Sequence, residues 1–264
     1  MAKTRLDTLL VERGLFESRS RAAAAVMAGE VRLGEGGARA QKPGQMVAPD
    51  APVSVDDLPG FVSRGGVKLA NALDAFGLDP AGRCCLDVGA STGGFTDCLL
   101  QRGAEHVVAL DVAYGELHWQ IRGDSRVTVI ERTNARALEP SMLAYRPDLI
   151  TIDVSFISLA KVLPAVLDGA AERFDCLALV KPQFEVGRER VGKGGVVRSA
   201  DDRRATLVAV GQTAVALGYS VRGFVSSGLP GPAGNRESFA WIVEAGRAGA
   251  RDGELETAAR EVES

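Results

Sequence analysis

The stretch "CCLDVGASTGGFTDCLLQRG", residues 84–103, decides the fold. An apolar run that ends in Asp87 leads into a glycine-rich turn and then into a helical pattern, which predicts a buried strand, a tight loop and a helix. Strand-like runs continue downstream, most of them separated by helical segments. They are "HVVALDVA", "VTVIERTNA", "LITIDVSF", "CLALVKPQF", "YSVRGFVSS" and "SFAWIVEA". This order predicts an α/β, Rossmann-like domain whose seven-stranded, mostly parallel sheet carries helices on both faces.

The glycine-rich turn indicates a nucleotide-type cofactor, because glycines let the backbone approach a ligand at the carboxyl edge of a parallel sheet. Asp111 ends the next strand, where an acid can bind ribose hydroxyls. Nicotinamide dinucleotides and S-adenosylmethionine (SAM) both use this arrangement. The spacing here is G-x-S-x-G-G, and the Asp87 carboxylate suits the ammonium and sulfonium of SAM, so we favour SAM over a dinucleotide.

The residues that we expect to bind SAM follow the ends of the first four strands. They are Asp87, Gly89, Ala90, Ser91, Thr92, Gly93, Gly94, Phe95, Asp111, Val112, Asn134, Ala135 and Asp153. For Asn134, a role as an ordinary turn residue is nearly as well supported by the pattern.

The amino-terminal segment has a different organisation. Residues 5–15 and 18–29 read as two helices, short β-like pieces follow, and residues 1–49 carry eight Lys/Arg against five Asp/Glu, a net charge of +3. We expect a small α+β domain over 1–58, a linker over 59–66, the α/β domain over 67–246 and a frayed or disordered tail over 247–264. The basic bias alone is no more than a solvated surface.

The composition limits the classes of protein to which the chain can belong. The net charge is −3, and no apolar run reaches the length of a membrane span. The four cysteines show no C-x-x-C spacing, and two scattered histidines are too few for a metal site. We therefore expect a cytoplasmic protein with no metal and no membrane partner.

Charged residues at the strand ends suggest a catalytic cluster. Asp153 ends the fourth strand and Lys181 the fifth, while Glu237 begins the last strand. A lysine after a run as apolar as "CLALV" is half-buried and needs a partner. Lys68 lies in "FVSRGGVKLANAL" (61–73), which by itself reads as a hinge followed by a helix, so a linker is the safer local interpretation.

These four residues lie in motifs of a known family. S-R-G-G-x-K, I-D-V-S-F, V-K-P-Q-F-E and N-x-E-S-F resemble the Lys-Asp-Lys-Glu tetrad of the FtsJ-type ribose 2′-O-methyltransferases. "DVGASTGGFTD", "ERTNAR" and "GPAGNRESF" are similar to the TlyA family within that group. The segment "RLDTLLVERGLFESRSRAAAAVMAGEV", followed by "KPGQMV", resembles the alpha-L RNA-binding domain that this family carries at its amino terminus.

The resemblance implies transfer of a methyl group from SAM to the ribose 2′-hydroxyl of cytidine in ribosomal RNA (16S, 23S or both), without a metal. Lys181 would act on the hydroxyl, with its pKa lowered by burial and a like charge, and Asp153 would tune it. Lys68 and Glu237 would orient the nucleotide. Ribosomal RNA or ribosomal subunits are the expected partners, and the expected phosphate contacts are Arg5, Arg19, Arg21, Lys42 and, at the domain junction, Arg64.

Two alternatives remain at this stage. A membrane-damaging haemolysin is disfavoured, because the sequence has no membrane span and no secretion signal. A non-catalytic ribosome-assembly factor is disfavoured by the intact tetrad.

Overall fold

The computed structural model describes residues 3–16, 18–34, 37–55 and 60–263. The chain divides into two compact units, Met1–Gly60 and Phe61–Ser264. The predicted end of the first domain at residue 58, the first residue of the predicted linker, Pro59, and the last residue of the predicted tail, Ser264, lie outside the described residues.

The first unit is a small α+β domain, as predicted. Ser18 starts its second helix by accepting a hydrogen bond from the Arg21 backbone N–H at 3.2 Å, and Gly29 ends that helix in the left-handed conformation. The core contains Leu6, Leu10 and Val31. Its described elements are β1 (Thr4–Arg5), α1 (Leu6–Glu12), α2 (Arg19–Ala28), β2 (Val31–Leu33), β3 (Ala38–Arg39), β4 (Met46–Val47) and β5 (Val53–Val55). The strands form two small antiparallel sheets, β1–β4 and β3–β2–β5.

The second unit contains the predicted seven-stranded sheet. Its strands are β6 (Cys84–Val88), β7 (His106–Leu110), β8 (Val127–Ile130), β9 (Leu149–Ile152), β10 (Asp175–Val180), β11 (Ser220–Ser226) and β12 (Ser238–Val243). Its helices are α3 (Arg64–Phe76), α4 (Gly94–Gln101), α5 (Trp119–Arg122), α6 (Leu163–Asp168), α7 (Pro182–Glu185), α8 (Ala200–Ala216) and α9 (Leu255–Val262).

The strand order is β11-β12-β10-β9-β6-β7-β8, and β12 runs antiparallel to both of its neighbours. The chain leaves β6 for β7 on one side and later returns to β9 on the other, so the order reverses at β6. Ligands bind at such a reversal in open α/β sheets. Alternate residues of β6 point to opposite faces of the sheet. Leu86 and Val88 pack into the core cluster on one face, and Cys85 packs into the cluster on the other.

The segment that was predicted as a linker is largely part of the second unit. Helix α3 already begins at Arg64, so residues 64–66 are helical. Phe61 and Val62 pack against the core, and the Val62 N–H donates a hydrogen bond to Asp97 Oδ2 at 2.7 Å. The glycines that suggested a hinge instead form the first turn of α3.

The carboxyl-terminal segment also differs from the prediction of a frayed or disordered tail. Helix α9 packs Leu255, Ala258 and Ala259 into the core against α8 and β11. The Arg203 Nε donates a hydrogen bond to Glu263 Oε2 at 2.8 Å in a buried ion pair. Alanines at helical spacing form the buried face of this helix. Because alanine is only weakly hydrophobic, the segment resembles a solvated tail when its sequence is read alone.

Candidate active site

A cleft of about 990 Å³ opens at the carboxyl ends of the parallel strands. Gly89 follows β6, Asp111 follows β7, Asp153 follows β9 and Gln183 follows β10, and all four line it. The parallel register brings these strand ends to one edge of the sheet, as the sequence predicted.

The glycine-rich turn forms one wall of the cleft. Gly89 has a φ of +85°, and a Cβ there would overlap the carbonyl oxygen of Asp153. The position therefore requires glycine for its conformation and for the close approach of β9. Asp111 ties the turn to β7, because its Oδ2 accepts a hydrogen bond from the Ser91 N–H at 2.7 Å. Its Oδ1 accepts one from the Ala113 N–H at 2.7 Å.

The structure brings only some of the thirteen predicted cofactor residues to this cleft. The residues that line it are Gly89, Ser91, Asp111, Val112, Asn134, Ala135 and Asp153. Ala90 lines a small adjoining pocket. Thr92, Gly93, Gly94 and Phe95 continue the turn into α4 and are not among the lining residues. Asn134 also caps a short 3-10 turn, since its Oδ1 accepts a hydrogen bond from the Arg136 N–H at 3.1 Å, which confirms the turn role, while its contact with the cofactor stays a prediction.

Asp87 does not reach the cleft in this structure. Its side chain is fully buried and accepts hydrogen bonds from the hydroxyls of Thr96, at 2.6 Å, and Thr151, at 3.1 Å. Burial raises the pKa of Asp87 to about 7 despite these two bonds. Its carboxyl group therefore joins β6, β9 and α4 beneath the turn.

Asp153, in the wall of the cleft, and Lys181 form the first of two ion pairs. Lys181 Nζ lies 2.5 Å from Asp153 Oδ1 and donates a hydrogen bond to Ser155 Oγ at 2.9 Å. Burial alone lowers the pKa of Lys181, but the Asp153 carboxylate outweighs it, so the net pKa lies above the usual value of 10.5. The prediction of a lowered pKa was therefore wrong, because the sequence did not reveal how close the carboxylate lies. Lys181 is an ammonium at neutral pH.

Lys68 and Glu237 form the second ion pair. Lys68 Nζ donates a hydrogen bond to Glu237 Oε2 at 2.5 Å, and the two residues are 7% and 2% exposed. Asn71, one turn further along α3, donates from Nδ2 to the Ser227 carbonyl at 3.0 Å and so fixes the helix against the end of β11. A Cβ on Gly231 would overlap Glu237 Oε1, so this glycine leaves room for the carboxylate.

The antiparallel insertion of β12 brings the two pairs together. Val180 is paired with Ser238, so the next residues along this ladder, Lys181 and Glu237, lie at the same end of neighbouring strands. The Glu237 carboxylate accordingly adds to the increase in the Lys181 pKa. All four predicted tetrad residues thus belong to one cluster at the edge of the sheet.

The cleft fits a ligand of the size and chemistry of SAM. Its volume lies at the upper end of the range for small-molecule sites. Asp153 Oδ1 and Gln183 Oε1 are buried in its wall without a hydrogen-bond partner in the described protein. Lys181 Nζ lies 2.5 Å from the first of them and compensates its charge. A buried acceptor such as Gln183 Oε1 is expected to meet a donor from water or from a bound cofactor or substrate.

Sequence reasoning missed several residues of this wall. Glu185 accepts hydrogen bonds from Ser158 Oγ at 2.6 Å and from the Leu159 N–H at 2.8 Å, and so ties the loop after β10 to the loop after β9. Burial raises the pKa of Glu185. Glu185 itself does not line the cleft, but residues that do and that were not predicted as site residues include Glu116, Arg136, Ser155, Phe156, Lys161, Gln183 and Arg188. Several of them lie within quoted motifs, but only the fold determines which of these side chains meet.

The predicted phosphate-binding residues lie in both units. Arg5 donates two hydrogen bonds to Asp7, at 3.0 and 2.6 Å, and these lower the pKa of Asp7 to about 2. Arg19 NH2 lies 3.6 Å from Asp7 Oδ2. Lys42 is exposed, and the second unit's Arg64 donates a hydrogen bond to the Pro230 carbonyl at 3.2 Å. Arg21 lies in the first turn of α2.

Metal sites and membrane-spanning helices are absent from the described residues. Across the described residues, no group of three or more His, Cys, Asp or Glu side chains could hold a metal ion. Within the same ranges, no helix has the length and apolar character needed to cross a membrane.

Comparisons with known proteins match both units. A model of the FtsJ-like methyltransferases matches residues 61–243, and an S4 domain model matches residues 4–53. The chain is 50% identical over 242 residues to the 16S/23S rRNA (cytidine-2′-O)-methyltransferase TlyA of Mycobacterium tuberculosis, covering 91% of this chain and 90% of that protein. It is 36% identical over 240 residues to Hemolysin A of Brachyspira hyodysenteriae, covering 90% and 99%. A solved structure from Streptococcus thermophilus matches with a TM-score of 0.74 and 39% identity, covering 99% of this chain and 97% of that one.

Proposed function

The chain belongs to the FtsJ-like methyltransferase family, and from this premise we propose that it methylates the ribose 2′-hydroxyl of a cytidine in ribosomal RNA, with SAM as the donor. The observation that carries the proposal is that the pairs Asp153–Lys181 and Lys68–Glu237 lie at the same end of neighbouring strands, with Asp153 in the wall of a cofactor-sized cleft. Relatives named as rRNA (cytidine-2′-O)-methyltransferases support the choice of substrate.

The cofactor half of the site is the wall formed by the glycine-rich turn and Asp111. Each Asp111 oxygen accepts one backbone hydrogen bond and keeps a lone pair for a ribose hydroxyl. Gly89, Ser91, Val112 and Asn134 would complete the adenosine side. When bound, SAM supplies a methyl group that its sulfonium already activates, so a metal is not required for the transfer.

The half of the site that we assign to the methyl acceptor, the ribose 2′-hydroxyl, is the ion-pair cluster. Because the Lys181 pKa is raised, its ammonium is a hydrogen-bond donor at neutral pH. We assign it to hold the 2′ oxygen and to stabilise the negative charge that develops there as the proton leaves. Asp153, whose Oδ1 lies 2.5 Å from that ammonium, is assigned to receive the proton. Lys68 and Glu237 are assigned to orient the ribose, since correct alignment of the oxygen lowers the barrier substantially.

The S4 unit is assigned to hold the RNA. Arg5 and Arg19 gather around Asp7 with their guanidinium groups partly exposed, which leaves positive charge at the surface of this unit. Duplex RNA is bound mainly through phosphate and 2′-hydroxyl contacts, for which arginines are suited. A ribosomal substrate implies that the protein acts in the cytoplasm, on one or both subunits.

The test is transfer of tritium from labelled SAM to ribosomal subunits that lack the methyl group. We expect wild-type protein to label rRNA, and Lys181→Met to reduce kcat at least about 100-fold with SAM affinity unchanged, because the variant loses the charged donor to the oxygen. Lys193→Met, at an exposed lysine outside the cluster, is the matched control and should retain the wild-type kcat.

Other outcomes would support the alternatives. Binding of subunits without any methyl transfer would favour a ribosome-assembly factor. Lysis of erythrocytes by purified protein that does not act on RNA would favour a haemolysin.

A further inference from the structure

Gln183 lies in the wall of the cleft and has a buried, unsatisfied hydrogen-bond acceptor. It lies two residues after Lys181 in the short helix α7 and lines the same cleft as Asp153. Its Oε1 is buried and accepts no hydrogen bond from the described protein. A buried acceptor without a partner is unfavourable, so this position calls for a donor from outside the chain.

The backbone around Gln183 is firmly held. Pro182 is buried at the start of α7, and Glu185 at its end is bonded to Ser158 and Leu159 across the cleft wall. Phe184 packs against Phe156 with ring centroids 5.2 Å apart. A side chain on so constrained a turn can present its amide at a defined place, which is what discrimination between similar ligands requires.

Gln183 lies on the side of the cleft that we assign to the RNA, which accepts the methyl group. The strand order places β10, which precedes Gln183, two positions from β6 and three from β7. Lys181, the residue assigned to the 2′ oxygen, directly precedes α7, the helix that contains Gln183. We therefore take the donor that meets Gln183 to belong to the target nucleotide rather than to the adenosine of the cofactor.

Resting on the proposed function, we infer that Gln183 reads the base of the target nucleotide and selects cytosine over uracil. The Watson–Crick edge of cytosine presents the 4-amino donor beside the N3 acceptor, which complements Oε1 and Nε2 of an amide. Uracil presents an oxygen in place of the amino group, and that oxygen would face Oε1. Enzymes that act on an extruded nucleotide commonly read it by such hydrogen bonds.

The experiment compares two substrates. The cytidine that the wild type methylates is mapped by mass spectrometry, and the same ribosomal subunit is prepared with uridine at that position. The quantity measured is the ratio of kcat/KM for cytidine to that for uridine, together with the Kd for SAM. The variants are Gln183→Met, which keeps the shape of the side chain without its hydrogen bonds, and Gln183→Glu, which can only accept. Gln120→Met, at an exposed glutamine of α5, is the matched control.

We expect wild type and Gln120→Met to prefer cytidine by roughly 5- to 150-fold, the discrimination typical of a paired base contact. Gln183→Met should bring the ratio close to one, Gln183→Glu should also lower it because a carboxylate has no donor for N3 of cytosine, and SAM affinity should stay the same in both. An unchanged ratio in Gln183→Met overturns the inference, as does a weakened affinity for SAM, which would assign Gln183 to the cofactor. If wild type methylates neither subunit at all, the proposed function itself fails.

Discussion

Replacing Lys68 with Met should destabilise the second unit and abolish methyl transfer at the same time. The change removes the partner of Glu237, which is 2% exposed, and leaves its carboxylate buried without the ammonium 2.5 Å away. Breaking a buried ion pair by removing one member costs about 3–5 kcal/mol. For a unit of this size, about 2–4 °C per kcal/mol corresponds to a fall in Tm of roughly 6–20 °C.

The double variant Lys68→Met/Glu237→Gln separates the cost of the buried charge from the loss of catalysis. It has no unpaired charge, so most of the lost stability should return, while methyl transfer stays abolished because the tetrad is still broken. Asp74→Asn is the matched control on the same helix, because Asp74 is exposed in its pair with Arg102. An exposed pair contributes at most about 1 kcal/mol.

Urea unfolding at pH 7, SAM binding by calorimetry and tritium transfer would be measured on each variant. The account predicts that all variants bind SAM like the wild type. A double variant as unstable as Lys68→Met would refute the reasoning from buried charge. A Lys68→Met protein with full activity would remove Lys68 from the site.

Three further predictions concern other parts of the chain. Because burial raises the pKa of Asp87 from 3.8 to about 7, its ionisation opposes folding: the penalty is absent below pH 3.8 and reaches about 4 kcal/mol above pH 7. Urea unfolding should therefore show that Asp87→Asn gains stability relative to wild type as the pH rises from 4 to 8, and an equal difference at both ends would contradict the burial effect. Gly231→Ala should displace the Glu237 carboxylate from its buried pair with Lys68, and so lower both kcat, at least about tenfold, and Tm, whereas normal kinetics would show that the carboxylate position is unimportant. Deletion of residues 1–60, the first compact unit, should weaken subunit binding in a filter assay but leave the Kd for SAM unchanged, whereas lost SAM binding would show that the units are not separable.

The architecture was largely predictable from sequence because buried parallel strands leave a strong local signal. The runs around Leu86, Val108 and Ile150 are apolar and bounded by turns, and these residues are buried in one core cluster. The motifs around Lys68 and Glu237 suggested one site, but the distance between those residues depends on where β12 inserts in the sheet. Only the structure shows that insertion.

Three features could not be predicted from the sequence, and each has a physical reason. The sign of the Lys181 pKa shift depends on whether burial or the nearby carboxylate dominates, and that balance is set by a distance of 2.5 Å. The placement of Asp87 beneath the turn depends on the hydroxyls of Thr96 and Thr151, which come from different elements. The unsatisfied acceptor on Gln183 is visible only once its neighbours are known.

The most direct test of the central claim is the chemical identity of the product. Ribosomal subunits that lack the modification would be incubated with the protein and labelled SAM, and the RNA digested to nucleosides for mass spectrometry. The account predicts label in 2′-O-methylcytidine, and none with Lys181→Met. Label on a base atom, or no label in RNA with a protein that binds both SAM and subunits, would contradict it.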